Sequence, residues 1–562
     1  MSESAHRKPK KTNDLDKIIE AVNEVPGKVD PIFAGAFFRN LPATDPEELP
    51  PAALARIAAG FQAFCRERRA GEVKFRVYNP TEDEHGWASS HTVIELVNDD
   101  MPFLVDSVVI ALAALDLSVH LIIHPVIRLQ RDPGGHVLDV VTDGESGRPE
   151  SLMHLQVDRQ TSPDMLARIE RRVRSTLGDV RRAVEDWRAM TAKSTEIADE
   201  LAESRSGLDV DEVDEAREFF QWLADDHFTF LGYREYAIRS TDDGRVLEAV
   251  PGSGLGLMRD EHRASPTREV RALEDGQSKI HPIIITKTNG RSTVHRDGYM
   301  DYISILRFDE EGRVTGEKRI IGLFTSGAYI RRCQDTPLVR RKVEKVLKAS
   351  GLRPGSHAGK ALLHILETLP RDELFQAGSA DLLELGTGIL DLQERAQTRL
   401  FVRRERFGRF YSCMVFIPRD RFNTENRQKV QAILKRALKG ERLDFSVQVG
   451  ESKLARMHVI VRPRADRVAA FDPAEIEDRI KQAIRSWDDE LGEILVRQCG
   501  EEKGLELLRR FGRAFPLSYQ GDVAPHVASF DVMAASGLKS VEDLQMSLYR
   551  PRRRAQGILR FK

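Results

Sequence analysis

Apolar positions along this chain fall into two rhythms, and the stretch Glu95–Leu129, ELVNDDMPFLVDSVVIALAALDLSVHLIIHPVIRL, carries both. Ile94 and Leu96 alternate with Val93, Glu95 and Val97, the period-two pattern of a strand. A tight acidic turn, Asn98–Phe103, follows. Leu104, Val108, Ala111, Leu112 and Leu115 then recur at three and four, which predicts one apolar helix face. Alternation returns in Val119, Leu121, Ile123, Pro125, Ile127 and Leu129, read as one long strand. Beyond a Pro133–Gly135 turn, Met153, Leu155 and Val157 give another strand. Ser162 stands as an N-cap with Pro163 at the first helical position, ahead of Leu166, Ile169, Val173 and Leu177 on one helix face. Val180–Val184 is expected to close the sheet, giving β-α-β-β-α-β, a ferredoxin-like order.

The same order returns about three hundred residues later. Tyr411, Cys413, Val415 and Ile417 alternate, and a helix from about Asn423 aligns Val430, Ile433, Leu434, Ala437 and Leu438. Leu443, Phe445, Val447 and Val449, then Ala455, Met457, Val459 and Val461, form two further alternating runs. Asp472-Pro473-Ala474-Glu475 has a capping-box pattern, and Ile476, Ile480, Ala483, Ile484 and Trp487 face inward behind it. The two modules share an architecture but little sequence. Between them lies a charged helical connector, Asp186–Ser206, and a helix at Glu215–Leu223. Strands are expected at His227–Arg239, Val246–Val250, Ile283–Thr286, Tyr302–Phe308 and Ile320–Phe324, parted by Asp-Gly and Glu-Glu-Gly turns, a mixed domain on an antiparallel sheet. Helices are predicted through Leu347, at His357–Leu369 and over Ala380–Gln397. After Trp487 the chain reads as helical to Leu544, and Gly557, Leu559 and Phe561 alternate like a strand left without partners, as in a cut chain. The fold class expected is α+β and multidomain.

Composition narrows the class further. With 562 residues, 41% hydrophobic and 31% charged, the chain suits several globular domains. A net charge of −2 gives no general attraction to nucleic acid or to an anionic membrane, and no partner of either kind is expected. No secretory apolar region follows the start, and Val108–Leu115 is too short to span a bilayer. Cys65, Cys333, Cys413 and Cys499 lie far apart without zinc-type spacing, as in reduced thiols of a cytoplasmic protein.

Candidate chemistry is sparse. Gly252-Ser253-Gly254-Leu255-Gly256 follows a strand, but its spacing is not GxGxxG and no apolar helix follows, so a flexible connector is favoured over a phosphate loop. His120 and His124 would share a strand face and could begin a metal site, yet Ile122 and Val126 beside them favour packing. Glu145-Ser146-Gly147 lacks a nucleophile elbow, and the basic run Arg550, Arg552, Arg553, Arg554, Arg560, Lys562 lacks interleaved aromatics. The turn Asn98, Asp99, Asp100, Met101, Pro102, Phe103 has the best case, because free N–H groups at the following helix start could hold a carboxylate-bearing small molecule. Against this, Asp99 and Asp100 could simply cap the helix, and two carboxylates repel an anion.

Several strings resemble known sequence. NDDMPFLVDS is similar to the strand-to-helix loop of ACT domains, usually D-x-P-G. Asp100 and Pro102 match, while Phe103 stands where effector-binding ACT domains favour glycine. MPFLVDSV, HPVIRL, DDHFTFLGYREY, GSGLGLMR, STVHRDGYMDYISILRF, GLFTS, PRDELFQ and LFVRRERFGRFYSCMVFIPRDRFNTENR resemble the N-terminal half of the large bacterial NAD-dependent glutamate dehydrogenases. The polar, basic residues 1–15 are expected to be a disordered tail and 191–215 a helical connector. The resemblance implies an ACT-like module at 30–190 and a PAS-like domain at 216–350. It implies helices at 351–397, a second ACT-like module at 398–490, helices at 491–545, and the start of a third ACT-like module at 546–562. NAD and the catalytic residues belong to a dehydrogenase domain further on in the family, present in cis or in trans. No catalytic, cofactor-binding or metal residue is assigned here. A homo-oligomer and an amino-acid effector at Asn98–Phe103 are the partners the resemblance implies, with scaffolding favoured over sensing.

Overall fold

The computed structural model describes residues 11–25, 29–39, 50–141, 146–203, 210–241, 244–259, 282–311, 313–392, 395–450, 452–464, 470–540, 542–546, 548–549 and 560–561. The chain divides into two compact units, 1–346 with 366–378, and 347–365 with 379–562. Glu145, the segment that follows Arg259, Gly557, Leu559 and most of the basic C-terminal run lie outside the described residues.

The first unit begins with three helices, α1 (Lys11–Glu24), α2 (Pro31–Phe37) and α3 (Pro51–Cys65). Residues 11–15, expected in a tail, are helical. Six strands follow: β1 (Lys74–Tyr78), β2 (Thr92–Asp99), β3 (Val119–Ile123), β4 (Val126–Arg131), β5 (Val137–Val141) and β6 (Arg148–Val157). Their order is β1-β2-β6-β4-β5, with β3 also on β6. The helix α4 (Leu104–Ala113) sits where the apolar spacing placed it. The expected single strand Val119–Leu129 is two, because Pro125 has no N–H to give a ladder.

The closing strand expected at Val180–Val184 is not there. Those residues lie inside α5 (Pro163–Glu203), a helix of 41 residues, which also absorbs the expected connector as far as Glu203. Ile169, Val173, Leu177, Val180 and Ala183 step by three and four into one core, so helical period overrides the short alternating reading. The sheet's outer place beside β2 is filled instead by β1, antiparallel to it. Every residue of β2 from Thr92 to Asn98 is buried. Val93 and Val97 pack on Phe33, Phe37, Leu54, Ile57 and Phe61, while Ile94 and Leu96 pack on α4 and α5. This sheet therefore lies between two helical layers, which the alternation of one strand could not show.

After α6 (Val210–Trp222) comes a second antiparallel sheet. It comprises β7 (Phe228–Thr241), β8 (Gly244–Ala249), β9 (Leu255–Gly256), β10 (Ile283–Arg291), β11 (Tyr299–Phe308) and β12 (Val314–Phe324). The order is β10-β11-β12-β7-β8, with β9 on β7. Its interior includes a polar knot at fully buried Glu317, which accepts from Tyr302 (2.9 Å), Ser304 (2.6 Å) and Arg319 Nε (3.0 Å). Burying a carboxylate is tolerable only with partners of this quality. Helices α7 (Val339–Ala349), α8 (His357–Thr368), α9 (Arg371–Gln376) and α10 (Ser379–Leu392) follow in the chain.

In the second unit, strands β13 (Arg399–Arg404), β14 (Tyr411–Pro418), β15 (Gly440–Gln448) and β16 (Leu454–Pro463) form a sheet of order β13-β14-β16-β15. Helices α11 (Thr424–Ala437) and α12 (Pro473–Ala483) supply Val430, Leu434, Ile476 and Ile480 to its core with Cys413, Val415, Met457 and Val459. Asn423 caps α11, and Asp472 accepts from Ala474 N at 2.9 Å to cap α12. The second module thus reads β-β-α-β-β-α and the first β-β-α-β-β-β-β-α, each with an N-terminal strand where a closing one was expected. Helices α13 (Trp487–Cys499), α14 (Glu501–Phe511), α15 (Leu517–Asp522) and α16 (Pro525–Ser536) complete the unit, with a capping box at Ser486 and Asp489. The strand at Arg560–Phe561 has a partner after all, Leu548–Tyr549.

Candidate functional site

The turn Asn98–Phe103 joins β2 to α4, and its side chains are engaged. Asp99 accepts from Arg68 Nη2 (2.8 Å), Gly71 N (3.0 Å) and Arg181 Nη1 (3.1 Å), and Arg181 also reaches Asn98 Oδ1 (2.9 Å). Burial opposes ionisation of Asp99, but the bonds and charges of Arg68 and Arg181 hold its carboxyl below the usual range. Arg68 turns its other edge to Glu150, which Arg131 grips at 2.6 and 2.9 Å. The Asp100 N–H bonds Pro149 O at 3.1 Å, so the turn is stitched to β6. Met101 packs at the edge of the core and Pro102 is exposed.

Phe103 takes a backbone conformation that glycine holds more easily. It occupies the N-cap of α4 in the left-handed region (φ 71°), a conformation a bulky residue rarely holds. Its ring lies 4.7 Å from that of His295, itself left-handed (φ 74°), on the loop between β10 and β11. The His295 N–H donates to Ser107 Oγ (3.1 Å), and Ser107 donates to Phe103 O (2.5 Å). Thr293 bonds Asp179 of α5 at 2.9 Å, while Val294 enters the core with Leu104 and Val108. The loop thus meets the first turn of α4 at Phe103 and Ser107. Chemically the turn is a joint between the first sheet and the second.

The glycine loop is a second part of that joint. Gly256 N donates to Asp186 Oδ2 of α5 (2.7 Å), and Arg259 grips Asp186 at 2.6 and 2.9 Å. Gly256 is left-handed (φ 60°), and a side chain there would collide with the Leu231 carbonyl. The N–H that a phosphate loop would offer to a ligand is taken by a carboxylate of the protein. His120 and His124 also go separate ways, to Asp158 Oδ1 (2.8 Å) and Ser151 Oγ (2.6 Å). Among the described residues no cluster of three His, Cys, Asp or Glu is arranged to hold a metal.

One buried cluster had no signal in the sequence beyond a lysine ending an apolar run. Lys287 Nζ lies 2.7 Å from Asp301 Oδ1 and 3.1 Å from Asp372 Oδ1, and Tyr329 donates to Asp372 at 2.9 Å. Register brings Lys287 opposite Asp301 across β10 and β11, and Asp372 arrives from α9. Burial pushes the Asp301 carboxyl up to about 6, against the pull of Lys287 and with a push from Asp372. Burial disfavours the Lys287 ammonium, yet both carboxylates hold its pKa above the ordinary lysine range. Phe375 stacks on Phe324 at 4.4 Å, and Lys342 Nζ donates to the carbonyls of Leu374, Phe375 and Ala377. The cluster pins α9 to the second sheet.

Similarity to known proteins follows the same divisions. Family models for the ACT1 domain, helical motif 1, the ACT2 domain and helical motif 2 of glutamate dehydrogenase match residues 33–173, 336–395, 399–488 and 494–538. The chain is 39% identical over 486 residues to an NAD-specific glutamate dehydrogenase of Halomonas elongata, covering 85% of this chain and 30% of that protein. It is 37% identical over 483 residues to that of Pseudomonas aeruginosa, with the same coverage of both chains. It is 30% identical over 491 residues to that of Mycobacterium tuberculosis, covering 84% of this chain and 29% of the relative. No described helix is long and apolar enough to cross a membrane. With models of two ACT domains and two helical motifs of glutamate dehydrogenase matched along it, the chain belongs to the large bacterial NAD-specific glutamate dehydrogenases and spans under a third of the length of these relatives.

Proposed function

We propose that this chain is the regulatory and assembly part of an NAD-dependent glutamate dehydrogenase, a cytoplasmic protein acting in amino-acid catabolism. The parent reaction is oxidation of L-glutamate with NAD and water to 2-oxoglutarate, ammonia and NADH. Hydride chemistry belongs to the cofactor, bound by a catalytic domain in cis or in trans. The observation that carries this reading is that all four matching family models describe ACT domains and helical motifs. Two features support a PAS-like identity for the middle domain and a ferredoxin-like one for the modules. The middle sheet's order is β8-β7-β12-β11-β10, and each module places the strand after its first helix beside the strand before its second. Assembly, with a homo-oligomer as its product, is favoured over effector sensing because Asp99 is held by Arg68 and Arg181 and Phe103 packs on His295, so two side chains of the Asn98–Phe103 turn serve internal contacts. Purified chain with glutamate and NAD is expected to give no NADH above a no-enzyme blank. Steady NADH production would refute the assignment.

A second reading, a stand-alone amino-acid sensor, keeps one supporting observation: Asn98 Nδ2 is buried at the turn and has no acceptor among the described residues. Thermal shifts on adding single amino acids, abolished by Asn98→Ala, would favour it.

A further inference from the structure

An acidic face of α6 meets a basic face of α7 where the helical stretch of the chain begins. Asp211, Glu215 and Glu218 recur at four and three along α6, with Glu212 beside them. On α7, Arg340, Arg341 and Lys345 answer them, while Val339, Val343 and Val346 are its buried side chains. Arg340 Nε donates to Glu215 Oε1 at 2.7 Å and its Nη1 to Glu218 Oε1 at 2.9 Å. Arg341 Nη2 reaches Asp211 at 2.6 Å, and Lys345 Nζ reaches Glu212 at 3.3 Å. Glu215 is the one buried acid of the four, and its other oxygen accepts from Leu338 N at 2.9 Å. Leu338 is left-handed there, at φ 65°, a conformation that a bulky side chain holds only under constraint. The family model for helical motif 1 begins at Thr336, two residues earlier.

We propose that this contact is an ionic clasp that opens on its own, releasing α7 from α6 in response to ionic strength while the second sheet stays folded. Two observations set it apart from a fixed seam. The side chains of Asp211, Glu218 and Lys345 are more than half exposed, so the attractions that close it are open to screening by salt. Closing it also holds Leu338 in a strained turn, so opening relieves strain as it gives up charge contacts. Glu215 makes the opening all-or-none, because a carboxylate that loses Arg340 is costly to keep buried. The same step withdraws Lys342 from the carbonyls of Leu374, Phe375 and Ala377, so α9 loses the cation at its C-terminal end. The second sheet has no such dependence, since its strands are joined by backbone ladders. The inference rests on α6 and α7 and not on the assembly reading above, and either can fail without the other.

Hydrogen–deuterium exchange of the full chain, read by mass spectrometry at peptide resolution, tests it. Raising sodium chloride from about 0.1 M to about 0.5 M is expected to speed exchange of residues 339–346 by about tenfold, with β12 unchanged. Glu215→Gln is expected to give fast exchange at both salts, leaving a salt effect of about twofold or less. Lys345→Glu is expected to speed exchange at low salt, and adding Glu212→Lys to return it to within about twofold of the wild type. The wild-type comparison stands whether or not a variant folds. Exchange of 339–346 that ignores salt, or that rises only together with β12, overturns the proposal. So does a double variant no better protected than Lys345→Glu alone.

Discussion

Asp301 is fully buried between Lys287 and the Phe324 N–H, with the second carboxylate, Asp372, sharing the same lysine. Asp301 is buried and shares its one ammonium with the half-buried Asp372, so the folded state favours a proton on Asp301. Its pKa rises from 3.8 to about 6, and the sign of the linkage follows. A carboxyl whose folded pKa exceeds its unfolded value contributes stability that is complete below pH 3.8 and lost as pH rises through about 6. Asp301→Asn keeps the shape and removes that titration. Its melting temperature is therefore expected to fall less than that of the wild type between pH 4 and 7, where the wild type releases the proton. Parallel curves for the two proteins would place the proton elsewhere. Nothing in a single sequence marks Asp301, because the pairing that makes it matter is with residues 14 and 71 positions away. Phe103 is the opposite case. Its mismatch with the glycine of effector-binding turns is visible in the sequence, and the structure supplies the cause in the ring of His295.

At the scale of elements, long periodic segments were legible and boundaries decided by packing were not. α4, α11 and α12 lie where apolar spacing and caps placed them, since amphipathic period and capping are local properties. β1 escaped notice because KFRVY buries only Phe75 and takes its place by pairing with β2. Val180–Val184 was misread because five residues fit either period, and the decision came from the core beneath. Within α5, Ala183 is buried on the side facing the first sheet's core. Ala183→Pro removes a mid-helix hydrogen bond and clashes with the carbonyl one turn back, at a cost of about 3 kcal/mol or more. Urea unfolding followed by far-UV circular dichroism is expected to show that loss, with helical signal reduced before the transition. A variant as stable as the wild type would mean that the helix breaks near Ala183. The joint made by Gly256 and Asp186 was invisible for a related reason: the glycine spacing was plain, but its partner lies 70 residues upstream on a helix expected to be a mere connector.

For the molecule as a whole, near-neutrality matters more than any single charge. Eighty-six basic and 88 acidic residues leave a net charge of −2, and the isoelectric point lies near 6.8. Close to that pH the chain has little self-repulsion, so loose association is expected irrespective of any specific interface. Contacts between patches of opposite charge are screened once the Debye length shrinks from about 10 Å at 0.1 M salt to well under that at 0.5 M. They also weaken at alkaline pH, where the chain becomes more negative. Association near pH 6.8 is therefore expected to fall as sodium chloride rises from about 0.1 to 0.5 M, and to fall again at pH 8.5, both followed by light scattering. Association that changes with neither salt nor pH would be held by something other than charge.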